Sequence, residues 1–207
     1  MRHHLAAYRL SVTVSFEFMP MNLVHRKLCS SALWAKAVAA EMPGNIAGYD
    51  LGDSVLEVGP GFGATTRALA GLVPRLTAVE IDEASVGVLK REFDGRVRIV
   101  HGDGASMPFE DGEFSAVVCF TMLHHVPTTA LQDAIFAEAF RVLRPGGVLR
   151  AMDSLANAPF RLLHIGDTMN ALDPVSVWPR LQDAGFTGIK VDHVPKRSVS
   201  FSARKPD

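Results

Sequence analysis

The sequence has 207 residues, enough for one α/β domain with a buried core, and 48% of them are hydrophobic. The formal net charge is -1, so the chain lacks the basic excess that drives non-specific nucleic-acid binding. Cys29 and Cys119 lie far apart and have no metal-ligand spacing, which predicts a reduced, cytoplasmic protein without disulfide bonds. No apolar run approaches the roughly 20 residues needed to cross a bilayer.

Residues 1–21 form a segment whose status the sequence leaves open. They contain no uninterrupted hydrophobic stretch or small-residue cleavage site typical of a signal peptide. Apolar residues alternate over residues 11–18 and would share one face of a strand. Met19 and Met21 also offer alternative starts. We therefore predict an N-terminal extension that is either not native or disordered, followed by a single domain over residues 22–207.

Helical and strand patterns alternate along this domain. Asn22 can cap a helix over residues 22–42 that ends at Pro43-Gly44. From residue 54 onward, short apolar runs alternate with helical stretches, which is typical of a mostly parallel sheet covered on both faces. The predicted buried strands are residues 55–59, 76–81, 97–100, 116–120 and 148–152.

The last part of the chain predicts a loop, a helix and a closing pair of strands. Residues 154–172 have no clear period and form a loop long enough to face a substrate. Asp173-Pro174 begins a helix, but proline is unfavourable in a helix interior, so we expect a loose turn before Pro179 and regular helix from there. Residues 189–194 and 198–203 form the final strands.

A glycine-rich turn follows the first predicted strand. In Glu57-Val-Gly59-Pro60-Gly61-Phe-Gly63 the glycines let the backbone turn sharply and approach a ligand at the carboxyl end of the strand. No Gly-Lys-Ser/Thr follows, which excludes a phosphate-binding Walker loop. An acidic residue beside close-packed glycines suits the ammonium and sulfonium charges of S-adenosylmethionine. A tight turn that binds nothing is the alternative.

Two acidic residues follow the next two strands. Glu80 ends the second strand about twenty residues after the turn, where a carboxylate holds ribose hydroxyls in nucleoside sites. Asp103 follows the third strand and can accept from an adenine amino group, with Gly104 and Ala105 beside it. Alone, these residues could be a solvated acid and an ordinary turn. Their order after the glycine turn favours three contacts to one nucleoside.

Five motifs occur in order between residues 54 and 149. They are Val-Leu-Glu57-Val-Gly59-Pro-Gly61-Phe-Gly63, Ala-Val-Glu80-Ile-Asp, Gly102-Asp103-Gly104-Ala-Ser-Met-Pro-Phe, Val-Val-Cys-Phe-Thr121-Met-Leu-His124-His125-Val and Arg-Val-Leu-Arg-Pro145-Gly146-Gly147. Together they resemble the class I S-adenosylmethionine-dependent methyltransferases, and the last two resemble the branch that includes quinone and other small-molecule methyltransferases. The resemblance implies a Rossmann-like α/β fold with a seven-stranded mixed sheet of order 3-2-1-4-5-7-6, strand 7 antiparallel, and helices on both faces.

The resemblance also implies a cofactor, S-adenosyl-L-methionine, and a site for it. Glu57 and the glycines of the turn would hold the methionine moiety, Glu80 the ribose, Ile81 a face of the adenine, and Asp103 with Gly104 the adenine edge. The predicted cofactor-binding residues are Glu57, Gly59, Pro60, Gly61, Gly63, Glu80, Ile81, Asp103, Gly104, Ala105 and Thr121. The implied reaction moves a methyl group to a small-molecule acceptor by in-line displacement.

Three other functions share parts of this pattern. The turn and Glu80-Ile-Asp82 are also similar to ribosomal-RNA adenine dimethyltransferases, but those enzymes carry Asn-Leu-Pro-Tyr or a close variant where this chain has Phe-Thr-Met-Leu at residues 120–123. A nicotinamide-dependent oxidoreductase uses Gly-x-Gly-x-x-Gly, whereas the three glycines here alternate strictly. A protein that binds the cofactor without catalysis stays open.

The acceptor side is less defined, because orientation supplies most of the rate of methyl transfer and a base is optional. His124 and His125 are the predicted catalytic residues, with His124 facing the acceptor; a structural role for one of them is the alternative. Asp153, His164 and Asp167 are the predicted substrate residues. With His124 they also suit a metal ion, but a hydrogen-bonded cluster that closes the loop is favoured, and no metal ligands are assigned. The expected partner is a small-molecule acceptor, with no nucleic acid and no membrane span, and a homodimer stays open.

Overall fold

A computed structural model describes residues 21–207, so the alternating segment and nearly all of the predicted N-terminal extension lie outside the described residues. One sheet runs in the order β3-β2-β1-β4-β5-β7-β6. Its strands are β1 Val55–Val58, β2 Leu76–Glu80, β3 Arg98–His101, β4 Phe114–Phe120, β5 Leu143–Ser154, β6 Thr187–Val194 and β7 Ser198–Arg204. Strands β1 to β5 pair in parallel, and β7 is antiparallel to β5 and β6. The predicted seven-stranded mixed sheet and its order are confirmed.

Helices cover both faces of this sheet. They are α1 Leu23–Cys29, α2 Ala32–Ile46, α3 Ala64–Leu69, α4 Glu83–Phe93, α5 Thr129–Val142, α6 Ala158–Leu163 and α7 Pro174–Asp183. Side chains of a strand point alternately to its two faces. Along β4, Ala116 and Val118 therefore join a buried cluster with residues of α2, α3 and α4, while Val117 and Cys119 join a second cluster with residues of α5 and α7.

The predicted single helix over residues 22–42 is two helices. Ser31 begins the second, because its hydroxyl accepts from the N–H of Trp34 at 3.1 Å and caps α2. The helix then continues past Pro43, where the sequence predicts its end. Pro43 cannot donate to the carbonyl of Ala39, but Ala39 is exposed, so water can satisfy that carbonyl.

The segment after β5 also holds more helix than the sequence predicts. The predicted loop over residues 154–172 contains α6, whose cap Asn157 accepts from the N–H of Phe160 at 2.9 Å. The loose turn expected before Pro179 is wrong, because α7 is continuous through that residue. The carbonyl that Pro179 leaves without a partner belongs to Val175, which is exposed to solvent.

The strand order reverses between β1 and β4, since the chain continues outward to β2 and β3 on one side and to β5 on the other. Ligands of open α/β sheets bind outside the carboxyl ends of the strands at such a switch point. The residues that follow β1, β2, β3 and β4 meet at this edge. Within residues 21–207, no helix combines the length and apolarity needed to cross a membrane.

Candidate functional site

The glycine turn after β1 brings the backbone to this edge of the sheet. Gly59, Gly61 and Gly63 have φ angles of 68°, 53° and 76°, in the left-handed region that strains residues with a side chain. The N–H of Gly59 donates to the carbonyl of Val79 at 2.9 Å, and a Cβ at Gly59 would lie 3.0 Å from Cε of Met122. The turn therefore requires glycine for its backbone angles and for close packing.

Glu80, the last residue of β2, is hydrogen-bonded to this turn. Its two carboxylate oxygens accept from the backbone N–H groups of Gly61 and Asp82, each at 2.9 Å. The side chain is buried, and burial raises its pKa above the ordinary value. Each carboxylate oxygen has a second lone pair, so Glu80 can hold the turn and still accept from a pair of ligand hydroxyls.

Glu57 is a buried carboxylate two residues before the turn. It is 1% exposed, and neither of its oxygens has a hydrogen-bond partner. Burial raises the pKa of Glu57 to about 7, although the hydroxyls of Thr65 and Thr66 act in the opposite direction. An unpartnered buried carboxylate is costly unless a donor or a cation approaches it. Its place beside the glycine turn fits a ligand that carries an ammonium group.

The turn after β3 completes this side of the site. Oδ1 of Asp103 accepts from the N–H of Ala105 at 2.8 Å, which orders the turn. A Cβ at Gly104 would lie 2.8 Å from Cγ1 of Val58, so only glycine fits there without displacement. Ile81 is 48% exposed and offers an apolar surface next to these groups.

A cavity of about 840 Å³ joins these elements. This volume is within the range of about 300–1,000 Å³ that is usual for small-molecule sites. One side, which we call the motif wall, is formed by the turns after β1, β2 and β3. The predicted cofactor residues that line the cavity are Gly59, Pro60, Gly61, Glu80, Ile81, Asp103, Gly104, Ala105 and Thr121. Glu57 and Gly63 do not line it; Gly63 is the N-cap of α3.

The opposite side, which we call the helix wall, is formed by α1, the start of α2, a 3-10 turn at Leu123–His125 and α6. It is largely apolar. The apolar residues lining it include Leu28, Trp34, Val38, Phe160 and Leu163. The cavity therefore has one polar, glycine-rich side and one side suited to an apolar ligand.

A buried imidazole and carboxylate meet in the helix wall. Nδ1 of His124 lies 2.5 Å from Oδ1 of Asp153, whose other oxygen accepts from the backbone N–H of His124 at 3.0 Å. Because a carboxylate oxygen can only accept, Nδ1 of His124 donates to Asp153, which leaves Nε2 as the ring nitrogen that can accept a proton. His124 lines the cavity, whereas Asp153 lies behind it and orients the ring.

Three more imidazoles pack beside His124. The ring centroids of His124 and His125 are 4.0 Å apart, and those of His25 and His164 are 4.3 Å apart. Nδ1 of His25 lies 2.7 Å from Oδ2 of Asp167. His25 and His125 line the cavity, but the predicted substrate residues His164 and Asp167 stand behind these rings.

His25 is the site residue that the sequence does not predict. Its carboxylate partner Asp167 is 142 residues away along the chain, and no local motif surrounds it. The contact depends on α1 closing over α6, where the side-chain amide of Asn22 donates to the carbonyls of Leu163 and Ile165 at 2.7 and 3.1 Å. Only this tertiary closure reveals that His25 belongs to the site.

The fold and the two walls define a class of protein. It is a Rossmann-like α/β domain with a cavity at the switch point of its sheet, bounded on one side by the glycine-rich motif wall and on the other by the helix wall. Such a site suits a reaction between a nucleoside cofactor and a small molecule.

Comparison with known proteins finds similarity to methyltransferases. A family model described as a methyltransferase domain matches residues 56–151. A Mycolicibacterium smegmatis protein named as an S-adenosylmethionine-dependent methyltransferase is 37% identical over 97 residues, which cover 47% of this chain and 36% of that protein. Demethylmenaquinone methyltransferase of Clavibacter sepedonicus is 34% identical over 100 residues, or 46% of this chain and 39% of that enzyme.

Two further similarities concern an RNA methyltransferase and the fold. Ribosomal RNA small subunit methyltransferase A of Geobacter metallireducens is 49% identical over 61 residues, covering 28% of this chain and 22% of that enzyme. A SAM-dependent methyltransferase structure from Methanosarcina mazei superposes with a TM-score of 0.63 at 18% identity, over 76% of this chain and 94% of that one, and shares the fold.

This chain spans less than half the length of each of the three named relatives. The matched region nevertheless contains the glycine turn, Glu80, Asp103 and His124. Residues 56–151 match a methyltransferase domain, and the fold and the order of the motifs are similar to those of the class I S-adenosylmethionine-dependent methyltransferases, whose cofactor is S-adenosylmethionine.

Proposed function

We propose that this protein transfers the methyl group of S-adenosylmethionine to a small, largely apolar molecule. The observation that carries the proposal is the cavity of about 840 Å³, which joins the motif wall to an apolar helix wall containing His124. One ligand of each kind can meet there with water excluded, and proximity is the main requirement of this displacement.

On the motif wall, each part of the cofactor has a matching group. Glu80 accepts from the ribose hydroxyls through the lone pairs that Gly61 and Asp82 do not use. Asp103 faces the adenine amino group, and Ile81 packs on the adenine ring. Glu57 lies behind the glycine turn and does not line the cavity, and its carboxylate favours the positive charge of the methionine moiety electrostatically.

On the helix wall, His124 serves as the base for an acceptor that must lose a proton. S-adenosylmethionine held by the motif wall would supply a methyl group activated by its sulfonium, and S-adenosylhomocysteine would be the second product. The acceptor proton passes to Nε2 of His124, and the buried carboxylate of Asp153 stabilises the imidazolium that forms.

An RNA substrate is the second candidate, favoured by the similarity of 61 residues to a ribosomal RNA methyltransferase. The fourth motif argues against RNA, because this chain has Phe-Thr-Met-Leu at residues 120–123 where the resemblance to such enzymes would require Asn-Leu-Pro-Tyr or a close variant. The net charge of -1 also provides little attraction for a polyanion. Both observations favour the small molecule.

The proposal includes the reducing cytoplasm as the compartment. Cys29 and Cys119 are both free, and burial raises the pKa of the Cys119 thiol to about 12. A buried, protonated thiol is stable without oxidation, so neither cysteine requires an oxidising environment.

The experiment that tests the proposal is an acceptor panel. Purified protein and S-adenosylmethionine are incubated with phenols, quinols, amines, carboxylic acids and a structured RNA, and S-adenosylhomocysteine release is measured. Release with an apolar small molecule is expected. Release with RNA alone would replace the proposal by the second candidate, and tight cofactor binding without any release would favour a protein that binds the cofactor without catalysis.

A further inference from the structure

Three histidines from separate parts of the chain present their ring nitrogens to one another. His25 belongs to α1, His125 to the 3-10 turn after β4, and His164 follows α6. One nitrogen of each ring can be chosen so that all three lie within 4.8 Å of one another. His25 and His164 are buried, and His125 is partly buried.

The remaining nitrogens of two of these rings have fixed partners. Nδ1 of His164 lies 2.7 Å from the carbonyl oxygen of Phe160, which can only accept, so this Nδ1 carries the proton. Nδ1 of His25 lies 2.7 Å from Oδ2 of Asp167, and this carboxylate oxygen likewise accepts a hydrogen bond from the ring. Metal-binding histidines have this arrangement, in which the second nitrogen donates to a carboxylate or a backbone carbonyl.

The Nε2 atom of His164 is consequently an acceptor, and one nitrogen of its ring lies within 4.8 Å of a nitrogen of each of the other two rings. Nε2 of His164 has no hydrogen-bond partner although the residue is only 4% exposed. A neighbouring neutral imidazole cannot donate to this Nε2 when its own N–H group already donates to another acceptor. The cluster therefore lacks an electron-pair acceptor, which a metal ion supplies.

The third ring belongs to His125. Its centroid lies 5.2 Å from that of His25 and 5.4 Å from that of His164, so the ring packs against both. His125 also lines the cavity, which gives the cluster access to a ligand bound there.

We propose that His25, His125 and His164 bind one divalent transition-metal ion of the zinc class in the helix wall of the cavity. Imidazole is a preferred ligand for such ions. A tetrahedral ion with bonds of about 2.0–2.1 Å separates its ligand nitrogens by roughly 3.4 Å, so binding draws the three rings closer together. This assigns metal ligands where the sequence assigns none, and it shares only His164 with the set that the sequence suggests.

Three protein ligands leave a fourth position for water or for a ligand in the cavity, because His25 and His125 both line it. An acceptor hydroxyl bound there would ionise near neutral pH, as metal-bound water does. The preferred acceptor is then an oxygen acid such as a phenol or an enol. This consequence for the acceptor rests on the proposed function, whereas metal binding itself does not.

Metal binding is measured directly, without turnover. The full chain is dialysed against a chelator and then titrated with Co²⁺ and Zn²⁺, and the readouts are stoichiometry by elemental analysis and the visible absorption of Co²⁺. We expect one equivalent, with the absorption of a tetrahedral site. His125→Ala and His164→Ala each lower the affinity by about 100-fold or more, while Asp167→Asn keeps the Co²⁺ spectrum and lowers the affinity about 10–100-fold.

Two control variants separate this site from other histidines. His193 lies exposed on β6, so His193→Ala should bind like the unaltered protein. His3 and His4 are adjacent in sequence, and a His3→Ala/His4→Ala variant should also keep one equivalent. Failure of the unaltered protein to bind Co²⁺ or Zn²⁺, or equal affinity in His125→Ala, His164→Ala and His193→Ala, would overturn the proposal. S-adenosylhomocysteine binding by each variant, measured separately, verifies folding and tests the cofactor site independently.

Discussion

The two walls of the cavity are built in different ways. On the motif wall, Glu80 bonds to Gly61, which is 19 residues away along the chain, and the other groups follow consecutive strands. On the helix wall, His25 meets Asp167 across 142 residues, and Asn22 meets Leu163 across 141. The motif wall depends on short-range turns at strand ends, whereas the helix wall depends on the closure of distant helices.

In the proposed function, the two walls therefore recognise the cofactor and the acceptor in different ways. Backbone turns fixed by glycines and strand ends give a rigid, reusable cofactor site. The helix wall is made of side chains on short helices, and such elements open more easily than a central sheet. We therefore expect changes in one wall to leave the function of the other largely intact, and the variants below test the two walls separately.

The largest expected effect is on turnover. His124→Ala removes the proposed base and should lower kcat about 10²–10⁴-fold with an acceptor that must lose a proton. Because His124 is on the helix wall, calorimetry should find its S-adenosylhomocysteine affinity within about twofold of the unaltered protein. A loss of cofactor affinity as large as the loss of kcat would show that the two walls are not independent.

Asp153→Asn is the matched positioning variant. The amide keeps the shape of the side chain but no longer provides a carboxylate to hold the Nδ1 proton of His124. It should lower kcat and alter its pH profile, and a profile like that of the unaltered protein would contradict the role given to Asp153.

The next effect concerns stability and lies behind the motif wall, at Glu57 of β1. The pKa of Glu57 is raised from 4.5 to about 7 in the folded protein, so folding favours its protonated form. Its stabilising contribution is complete below pH 4.5 and disappears as the pH rises to about 7, a loss of about 3 kcal/mol. Urea unfolding of the ligand-free protein should show this decline, and Glu57→Gln should remove it. An unchanged pH dependence in Glu57→Gln would contradict the assignment.

A smaller loss of stability is expected at Gly63. Its φ is +76°, and an added Cβ would lie 2.7 Å from Cδ2 of Leu89. Gly63→Ala should therefore lower the free energy of unfolding by about 2 kcal/mol, from backbone strain and overpacking. Gly61 is the matched control, since it shares a positive φ but has no atom within 4 Å of the added Cβ. Equal losses in the two alanine variants would show that packing against α4 is unimportant.

The smallest effect is at the edge of the helix wall. Asn22→Ala removes the side-chain cap of α1 and two hydrogen bonds, to the carbonyl of Leu163 at the end of α6 and to that of Ile165 just after it. This should lower the free energy of unfolding by about 1 kcal/mol and raise the KM of the acceptor. Asp173 caps α7 away from the cavity, so Asp173→Ala provides a similar loss of stability without a change of KM. If both variants change KM alike, the effect belongs to general stability.

The sequence predicts the motif wall far better than the helix wall, for a physical reason. The turn at Gly59 and the ends of β2 and β3 follow from local patterns, and the strand order follows from the family resemblance that these motifs carry. Ser31 and Pro43 show the limit of such patterns. Ser31 caps a second helix where one helix is predicted, and α2 continues through Pro43 because the carbonyl without a partner is exposed to water. His25 shows a second limit, since no local signal reports a partner 142 residues away.

The central claim, that the motif wall binds the cofactor through Glu80, is tested most directly by calorimetric titration with S-adenosylhomocysteine. The unaltered protein should bind one equivalent. Glu80→Gln preserves the shape of the side chain but replaces one acceptor oxygen by a donor, and it should weaken binding about 10–100-fold while the protein stays folded. Absence of binding to the unaltered protein, or equal affinity for the Glu80→Gln variant, would contradict the account.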